Sequence, residues 1–466
     1  MSSNCALILA AGEGTRMKSS KPKVLAEVLF TPMIDLIIRA AKEGGVDNIC
    51  VVTGHQSEIV EEHLGGKYRT VKQDKRLGTG HAVMQAKEFI KEHLHENILI
   101  LTGDCPLMDS ATIKAAYEAH VTHRNAVTVI SAKVDNPFGY GRIIRAKDGK
   151  FKRIAEEKEA TQAEKIINEV NSGAYWFSCS VLLDALEGIV AMHDKKKLPN
   201  VEYYLTDAIE VIIDKGLTAM AYEADSPNVV LGVNDRIQLM EVNEIARKEV
   251  LFKNMLNGVS IPSMDGVVIS PDAKIGRDTV ILPGTIVKGT TVIGENCTIG
   301  PYSIVEDSVI EDGVTLNNVH CYSSTIRKNA KIGPYVRIRP NCDIGEGVKA
   351  GNFVEFKNTK IGSHTSVAHL TYIGDADFGS NINVGCGCAT ANYNGKEKFR
   401  TKVDDNAFLG CSTYLVAPVN VGKNCYTAAG SVITEDVPDN SLAIARSRQV
   451  VKKNWIIKKK PYKWQK

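Results

Sequence analysis

The 466-residue sequence has no run of 18 or more apolar residues, so hydropathy offers no membrane-spanning helix. Its first apolar stretch, Cys5 to Ala11, is short and lacks a basic flank, so a secretory signal is not expected either. The eleven cysteines show no zinc-type spacing, and their odd number argues against a disulfide framework. Even Cys386-Gly387-Cys388 is too close to resemble the usual zinc pairs. Reduced thiols and a cytoplasmic location are the expectation. A strong net charge is also missing. The total is +3, and because Arg446 to Lys466 holds nine Lys or Arg and no acid, the other 445 residues sum to −6. That balance argues against a nucleic-acid partner and against membrane insertion. The basic tail itself reads either as a solvated terminus or as an anion-binding segment.

What the sequence does have is a rhythm. Ile269, Ile275, Ile281, Val287, Ile293, Ile299 and Val305 stand six apart, several of them followed by glycine. Neither the 3.6 period of a helix nor the period of two of a half-buried strand demands this spacing, whereas a three-sided solenoid with one inward side chain per face does. The pattern resumes out of phase at Ile326, Ile332, Ile338 and Ile344, then at Ile361, Val367 and Ile373, and again at Leu409, Leu415 and Val421. At about 18 residues per coil it predicts roughly nine or ten coils. Resemblance to hexapeptide-repeat proteins implies that the parallel β-helix is left-handed.

Ahead of it the pattern is α/β. Apolar strand candidates at Cys5 to Leu9, Ile49 to Thr53, Ile98 to Leu101 and Ala126 to Ser131 alternate with helical stretches, as in a Rossmann-like, doubly wound sheet. Leu239, Val242, Ala246 and Val250 fall at helical spacing before Gly258. The expected domains are therefore residues 1–230, a linking helix at 231–258, and a β-helix with basic tail at 259–466.

A glycine-rich turn, Leu9-Ala-Ala-Gly-Glu-Gly-Thr-Arg-Met17, follows the first strand, with Lys23 close behind. It lacks the third glycine of a dinucleotide fingerprint and the Gly-Lys-Ser/Thr of a P-loop, so both of those readings fail. Exposed backbone N–H groups beside Arg16 and Lys23 still suit a triphosphate, although a tight turn with solvated cations would look the same. Asp104 ends the strand segment Leu101-Thr-Gly-Asp104, where a carboxylate can hold Mg²⁺ or cap the next helix. Asn234 stands where a cap would begin the linking helix.

The segments Gly12-Glu-Gly-Thr-Arg-Met17 with Pro22-Lys23, Leu77-Gly-Thr-Gly-His-Ala82, Gly103-Asp104, Gly139-Tyr-Gly-Arg142, Asn171-Ser-Gly173 and Glu202-Tyr-Tyr-Leu-Thr-Asp207 resemble, in this order, the sugar-nucleotide pyrophosphorylases. The similarity extends along essentially the whole chain to the bifunctional N-acetylglucosamine-1-phosphate uridylyltransferase / glucosamine-1-phosphate N-acetyltransferase family. For the first half the resemblance implies Arg16 and Lys23 on the phosphates and Mg²⁺ on Asp104 and Asn234. It puts Leu9, Gly12, Gln73, Gly78 and Thr79 on the uridine of UTP, and Gly141, Glu156 and Asn171 against the N-acetyl sugar. Glutamates adjacent to Glu156 compete for its place.

In the second half, Ala368-His-Leu-Thr-Tyr-Ile-Gly-Asp375 holds His369 and Tyr372. An imidazole is suited to take the proton from a sugar amine attacking a thioester. With Arg339, Lys357, Asn383, Asn392-Tyr393 and Lys398 it resembles the family's acetyltransferase site. There Arg339, Lys357 and Lys398 would hold the phosphate of glucosamine 1-phosphate, His369 would be the general base, and Tyr372 and Asn383 would orient substrate and oxyanion. Glu355 is a candidate to orient His369. Acetyl-CoA would lie near Cys386, Cys411 and Ala429, with Arg446 and Lys452 for its phosphates. The resemblance further implies a homotrimer supplying UDP-N-acetylglucosamine for peptidoglycan. Two rivals are a single-activity nucleotidyltransferase with a structural β-helix, and a non-catalytic sugar-nucleotide sensor.

Overall fold

The computed structural model of the protein describes residues 4–196 and 202–459, with the side chains of 193–196 left aside. Residues 460–466 of the basic tail lie outside that range. The chain divides into two compact units, Met1–Ala246 and Arg247–Lys466.

The first unit is built on a nine-stranded sheet. Strand Cys5–Ala10 lies between Asn48–Thr53 and Asn97–Thr102, parallel to both. Asn97–Thr102 pairs on its other side, antiparallel, with Glu169–Ser178. Every second residue of a strand points to the opposite face, and the apolar composition of these strands covers both. Cys5, Leu7, Ile98 and Ile100 join one buried cluster. Ala6, Ile8, Leu99 and Leu101 join the other. Loops from the carboxyl ends of Cys5–Ala10 and Asn97–Thr102 carry Arg16, Lys23 and Asp104, the place where open α/β sheets form their crevices.

The helix expected from 231 begins later, at Arg236, and runs to Leu256. Its cap is Asp235, whose Oδ1 accepts from the backbone N–H groups of Ile237 and Gln238 at 2.9 Å. The helix thus lies within the expected 231–258, and the division between the two compact units falls inside it.

The second unit is a three-sided parallel β-helix. One face is a ten-stranded stack, and the other two faces form a continuous seventeen-stranded sheet. Each rhythm position points inward and is buried, except Ile275, which is only partly covered near the start of the stack. The interruption after Val305 is a shortening rather than a break. Val287 pairs with Val305, a coil of 18 residues, whereas Ile304 pairs with His320 after only 16, and Ile310, Leu316 and Cys321 fill the inward positions. Phe356 pairs with Ile373 over 17 residues. Ala376 pairs with Thr401 over 25, the excess being a loop that leaves the wall at Asn392.

Two candidate sites in two folds

The first site gathers around the Lys23 ammonium. Lys23 opens the short turn Lys23–Leu25 behind Pro22, and its side chain is 9% exposed. Its Nζ lies 2.5 Å from Asp104 Oδ2 and donates to Asn234 Oδ1 at 3.2 Å. Both acceptors are free for this because neighbouring residues took the capping tasks their positions suggested. Asp109, not Asp104, caps helix Ser110–Thr122 by accepting from Thr112 N–H at 2.7 Å. Asp235, not Asn234, caps the helix that follows. Gly14 is required where it stands, since its φ is +64° and a Cβ there would lie 2.7 Å from Lys23 Cβ. The glycine-rich turn is packed on the lysine, with Glu13 paired to Arg76 across it.

Arg16, Asp104, Gly141, Asn171 and Asn234 line a single cavity of about 460 Å³, together with Cys105, Tyr140 and Gln238. Asn171 N–H donates to Gly141 O at 2.8 Å, and its side-chain amide donates to Tyr175 OH at 2.7 Å. Glu156 lies against Gly141 and accepts from the Thr206 hydroxyl at 3.1 Å. Burial pushes its carboxyl up, opposed by that donor. Neighbouring Glu157 is used elsewhere, in an ion pair 2.7 Å from the buried Arg142 guanidinium.

Gln73, Gly78 and Thr79 also converge. Gln73 Nε2 donates to Gly78 O at 3.1 Å, and Thr79 Oγ1 accepts from Leu205 N–H at 3.0 Å. Gly78 and Gly80 allow this packing, because a Cβ at either would run into the Tyr203 carbonyl. That gives the Glu202–Asp207 motif its place, as the backing of the Gly78–Gly80 turn. Leu9 O accepts from Gly103 N–H at 2.9 Å, while a Cβ on Gly12 would meet only open space.

The second site is organised by a residue the sequence reading left out, Asp375. It sits on the strand Tyr372–Phe378 and is nearly buried. Its Oδ1 accepts from Asn358 Nδ2 at 2.6 Å, its Oδ2 accepts from Asn392 Nδ2, and Lys357 Nζ lies 3.4 Å away. Burial opposes the charge, but the two amide donors and the lysine outweigh it and hold the carboxyl below the usual aspartate range. The Asn392 bond fixes the root of the inserted loop, which folds back through a Tyr393–Lys398 bridge. Lys398 thereby joins Arg339, Lys357 and Arg400 around a cavity of about 640 Å³. Lys357 holds the Lys398 ammonium below the usual lysine range. Arg400 grips Asp377 with both arms at 2.6 Å.

Not every expected residue reaches this cavity. His369 ends strand Ser366–His369 and is exposed, and Asn383 is exposed on the next strand of the same face. Neither they nor Tyr372 line the cavity. Glu355 does not orient His369. It pairs with Arg339 Nη1 at 3.1 Å, its neighbour one coil away.

Cys386, Cys411 and Ala429 prove to be equivalent corner positions of successive coils. Val384 pairs with Leu409, and Leu409 with Thr427, each two residues before them. Ser412 N–H donates to Cys386 O at 2.7 Å and Gly430 N–H to Cys411 O at 2.8 Å. The Arg446 side chain lies beside Gly430 at the end of this column. Lys452 follows on the exposed tail.

Among family models, the nucleotidyl transferase family matches residues 5–226, and the hexapeptide repeat of succinyl-transferase matches residues 400–435. Curated relatives cover nearly the whole chain. A bifunctional protein GlmU from Acetivibrio thermocellus is 45% identical over 97% of both chains. Those from Caldanaerobacter subterraneus subsp. tengcongensis and Clostridioides difficile are 46% and 43% identical, again over 97% of both chains.

Proposed function

The chain belongs to the family of bifunctional GlmU proteins, and from that premise we propose how its residues divide two reactions. It is an enzyme of UDP-N-acetylglucosamine synthesis, acetylating glucosamine 1-phosphate with acetyl-CoA and then transferring uridylyl from UTP to the product. The second unit is a left-handed β-helix. We assign uridylyl transfer to the cavity around Lys23 and acetyl transfer to the β-helix.

In the first site the sugar phosphate attacks the α-phosphorus of UTP while pyrophosphate leaves, so positioning and charge neutralisation carry the catalysis. Gln73, Gly78 and Thr79 take the uracil end, and Gly141, Glu156 and Asn171 the N-acetyl sugar. Leu9 and Gly12 border the nucleotide, with the open space over Gly12 leaving room for backbone contact. Arg16 and Lys23 face the phosphates. Asp104 and Asn234 suit Mg²⁺, because their oxygens already converge on one cation, the Lys23 ammonium. When bound, Mg²⁺ would supply charge neutralisation on the triphosphate. The observation that carries this assignment is that convergence.

In the second, Arg339, Lys357 and Lys398 hold the sugar phosphate, and the Asn392–Asp375 bond keeps Lys398 and Tyr393 in reach. His369 takes the amine proton while Tyr372 and Asn383 steady the acyl group. Acetyl-CoA lies along Cys386, Cys411 and Ala429 with its phosphates toward Arg446 and Lys452. Because His369 and Asn383 face outward, we assign completion of the site to neighbouring chains of a homotrimer in the cytoplasm. An exposed apolar ridge supports this: Tyr302, Tyr335, Phe353 and Leu370 climb one corner at 64, 55, 59 and 59% exposure, ending one residue after His369. The product would feed peptidoglycan synthesis.

Two assays test the division. Free coenzyme A is followed after adding glucosamine 1-phosphate and acetyl-CoA, and pyrophosphate after adding N-acetylglucosamine 1-phosphate, UTP and Mg²⁺. His369→Ala should lower the first rate by about 10²- to 10⁴-fold, the usual share of a general base, and leave the second near wild type. Equal loss of both in a folded protein would refute the two-site assignment.

A further inference from the structure

Nine of the eleven cysteines are buried, and the two that reach solvent are Cys386 and Cys411. These two are the same corner position on consecutive coils, as the pairing of Val384 with Leu409 and the 2.7 Å bond from Ser412 N–H to Cys386 O require. Parallel strands run about 4.8 Å apart, inside the Cα separation of about 4.4–6.8 Å that a disulfide spans. The third thiol of the neighbourhood is committed elsewhere: Cys388 is buried and its Sγ donates to Gly410 O at 3.2 Å. The next corner in the column is Ala429, so the pair has one possible partner each.

We propose that Cys386 and Cys411 are a peroxide-sensitive thiol pair, forming a reversible disulfide across adjacent coils that obstructs the acetyl donor along this column of corners. The blocking effect rests on the reading that acetyl-CoA lies along this column. The chemistry balances with hydrogen peroxide as oxidant. The Cys411 thiolate, on the more exposed residue, attacks one peroxide oxygen and cleaves the O–O bond, giving a sulfenic acid and, after protonation, water. The Cys386 thiol then displaces the sulfenic hydroxyl, which leaves as a second water, and the S–S bond forms. Two electrons pass from the two sulfurs to peroxide, and a dithiol reductant reverses the step by exchange. In a reducing compartment such a bond is transient, as a sensor requires. Nothing in the first unit takes part, so oxidation should divide the two activities, stopping acetylation while uridylyl transfer continues on N-acetylglucosamine 1-phosphate already made.

The test treats the intact protein with hydrogen peroxide, alkylates the remaining thiols, and maps peptides by mass spectrometry beside both activity assays. The expected result is a Cys386–Cys411 cross-linked peptide, loss of coenzyme A release, its recovery with dithiothreitol, and unchanged pyrophosphate formation. Cys411→Ser is read as its treated rate divided by its own untreated rate, so its basal activity does not enter. That ratio should stay near one. Absence of the cross-link, with sulfinic acid or another pairing in its place, overturns the proposal, as does equal peroxide loss in Cys411→Ser. A cross-link that leaves acetyl transfer intact overturns the blocking role. Failure of the reduced wild-type protein to transfer acetyl at all would instead remove the acetyl-CoA reading, with the cross-link still scored by mass.

Discussion

At the scale of single residues, one charge organises each site: the Lys23 ammonium in the first, the Asp375 carboxylate in the second. Asp104→Asn keeps the shape of the first cluster and removes its negative charge. It should slow pyrophosphate formation by about a hundredfold or more, the order seen when one preorganised charge-stabilising group is lost, and leave coenzyme A release unchanged. Lys23 and Asp104 were legible as candidates because each sits in a motif with a phosphate or metal chemistry, whereas Asn234 came only with the resemblance, its own position reading as a helix cap. Which of two roles Asp104 and Asn234 play was not readable. It turns in part on which residues cap the helices, and backbone geometry gives those caps to Asp109 and Asp235. Asp375 escaped notice for a related reason. Its donors Asn358 and Asn392 lie 17 residues away on either side, neighbours only once the coils are stacked. Arg400, two residues beyond Lys398, carried a signal in its basic surroundings that was passed over.

At the scale of elements, a rhythm of six foretold the wall of the β-helix, since every coil repeats the same demand for one inward aliphatic side chain per face. Coils of 16 or 17 residues broke the count without breaking the stack, because a corner can lose a residue while inward side chains stay in register. The inserted loop at 392–400 needs an anchor that the repeat cannot supply, and the Asn392–Asp375 bond provides it. Because the Asp375 carboxyl titrates lower in the folded protein than unfolded, its ionised form adds stability above the ordinary aspartate range near about 3.9. This contribution is lost as pH falls through the folded value. Urea unfolding of the β-helix from about pH 5 to about pH 3 should therefore lose more stability in the wild type than in Asp375→Asn. Parallel losses in the two proteins would leave Asp375 without an energetic role.

For the whole molecule, the two units meet different physical demands: a crevice at the end of a sheet, which we assign to uridylyl transfer, and a long regular wall, which we assign to acetyl transfer. The wall presents an aromatic ridge, with Tyr335 and Phe353 stacked at 5.4 Å between ring centres, whose exposure suits contact with further copies. On the homotrimer proposed above, Phe353→Asp should convert the sedimenting species from trimer to monomer. Coenzyme A release should fall with it and pyrophosphate formation persist. A trimer that survives the substitution, or a monomer that still acetylates at the full rate, would contradict the assignment of His369 to a shared site. Nothing in the periodicity announces this ridge, because its members occupy corner positions at positive φ, between the inward residues that set the count.

The lysine lodged between Asp104 and Asn234 has a consequence for the order in which ligands arrive. The carboxylate already has its counterion, so at the metal site proposed above a divalent ion coming by itself would have to compete with an ammonium tethered to the same chain. On the same proposal a triphosphate would change the contest, because it would offer Lys23 a better anion and bring the metal with it. On that assignment the side chain would act as a lock against solitary metal, with the nucleotide as its key.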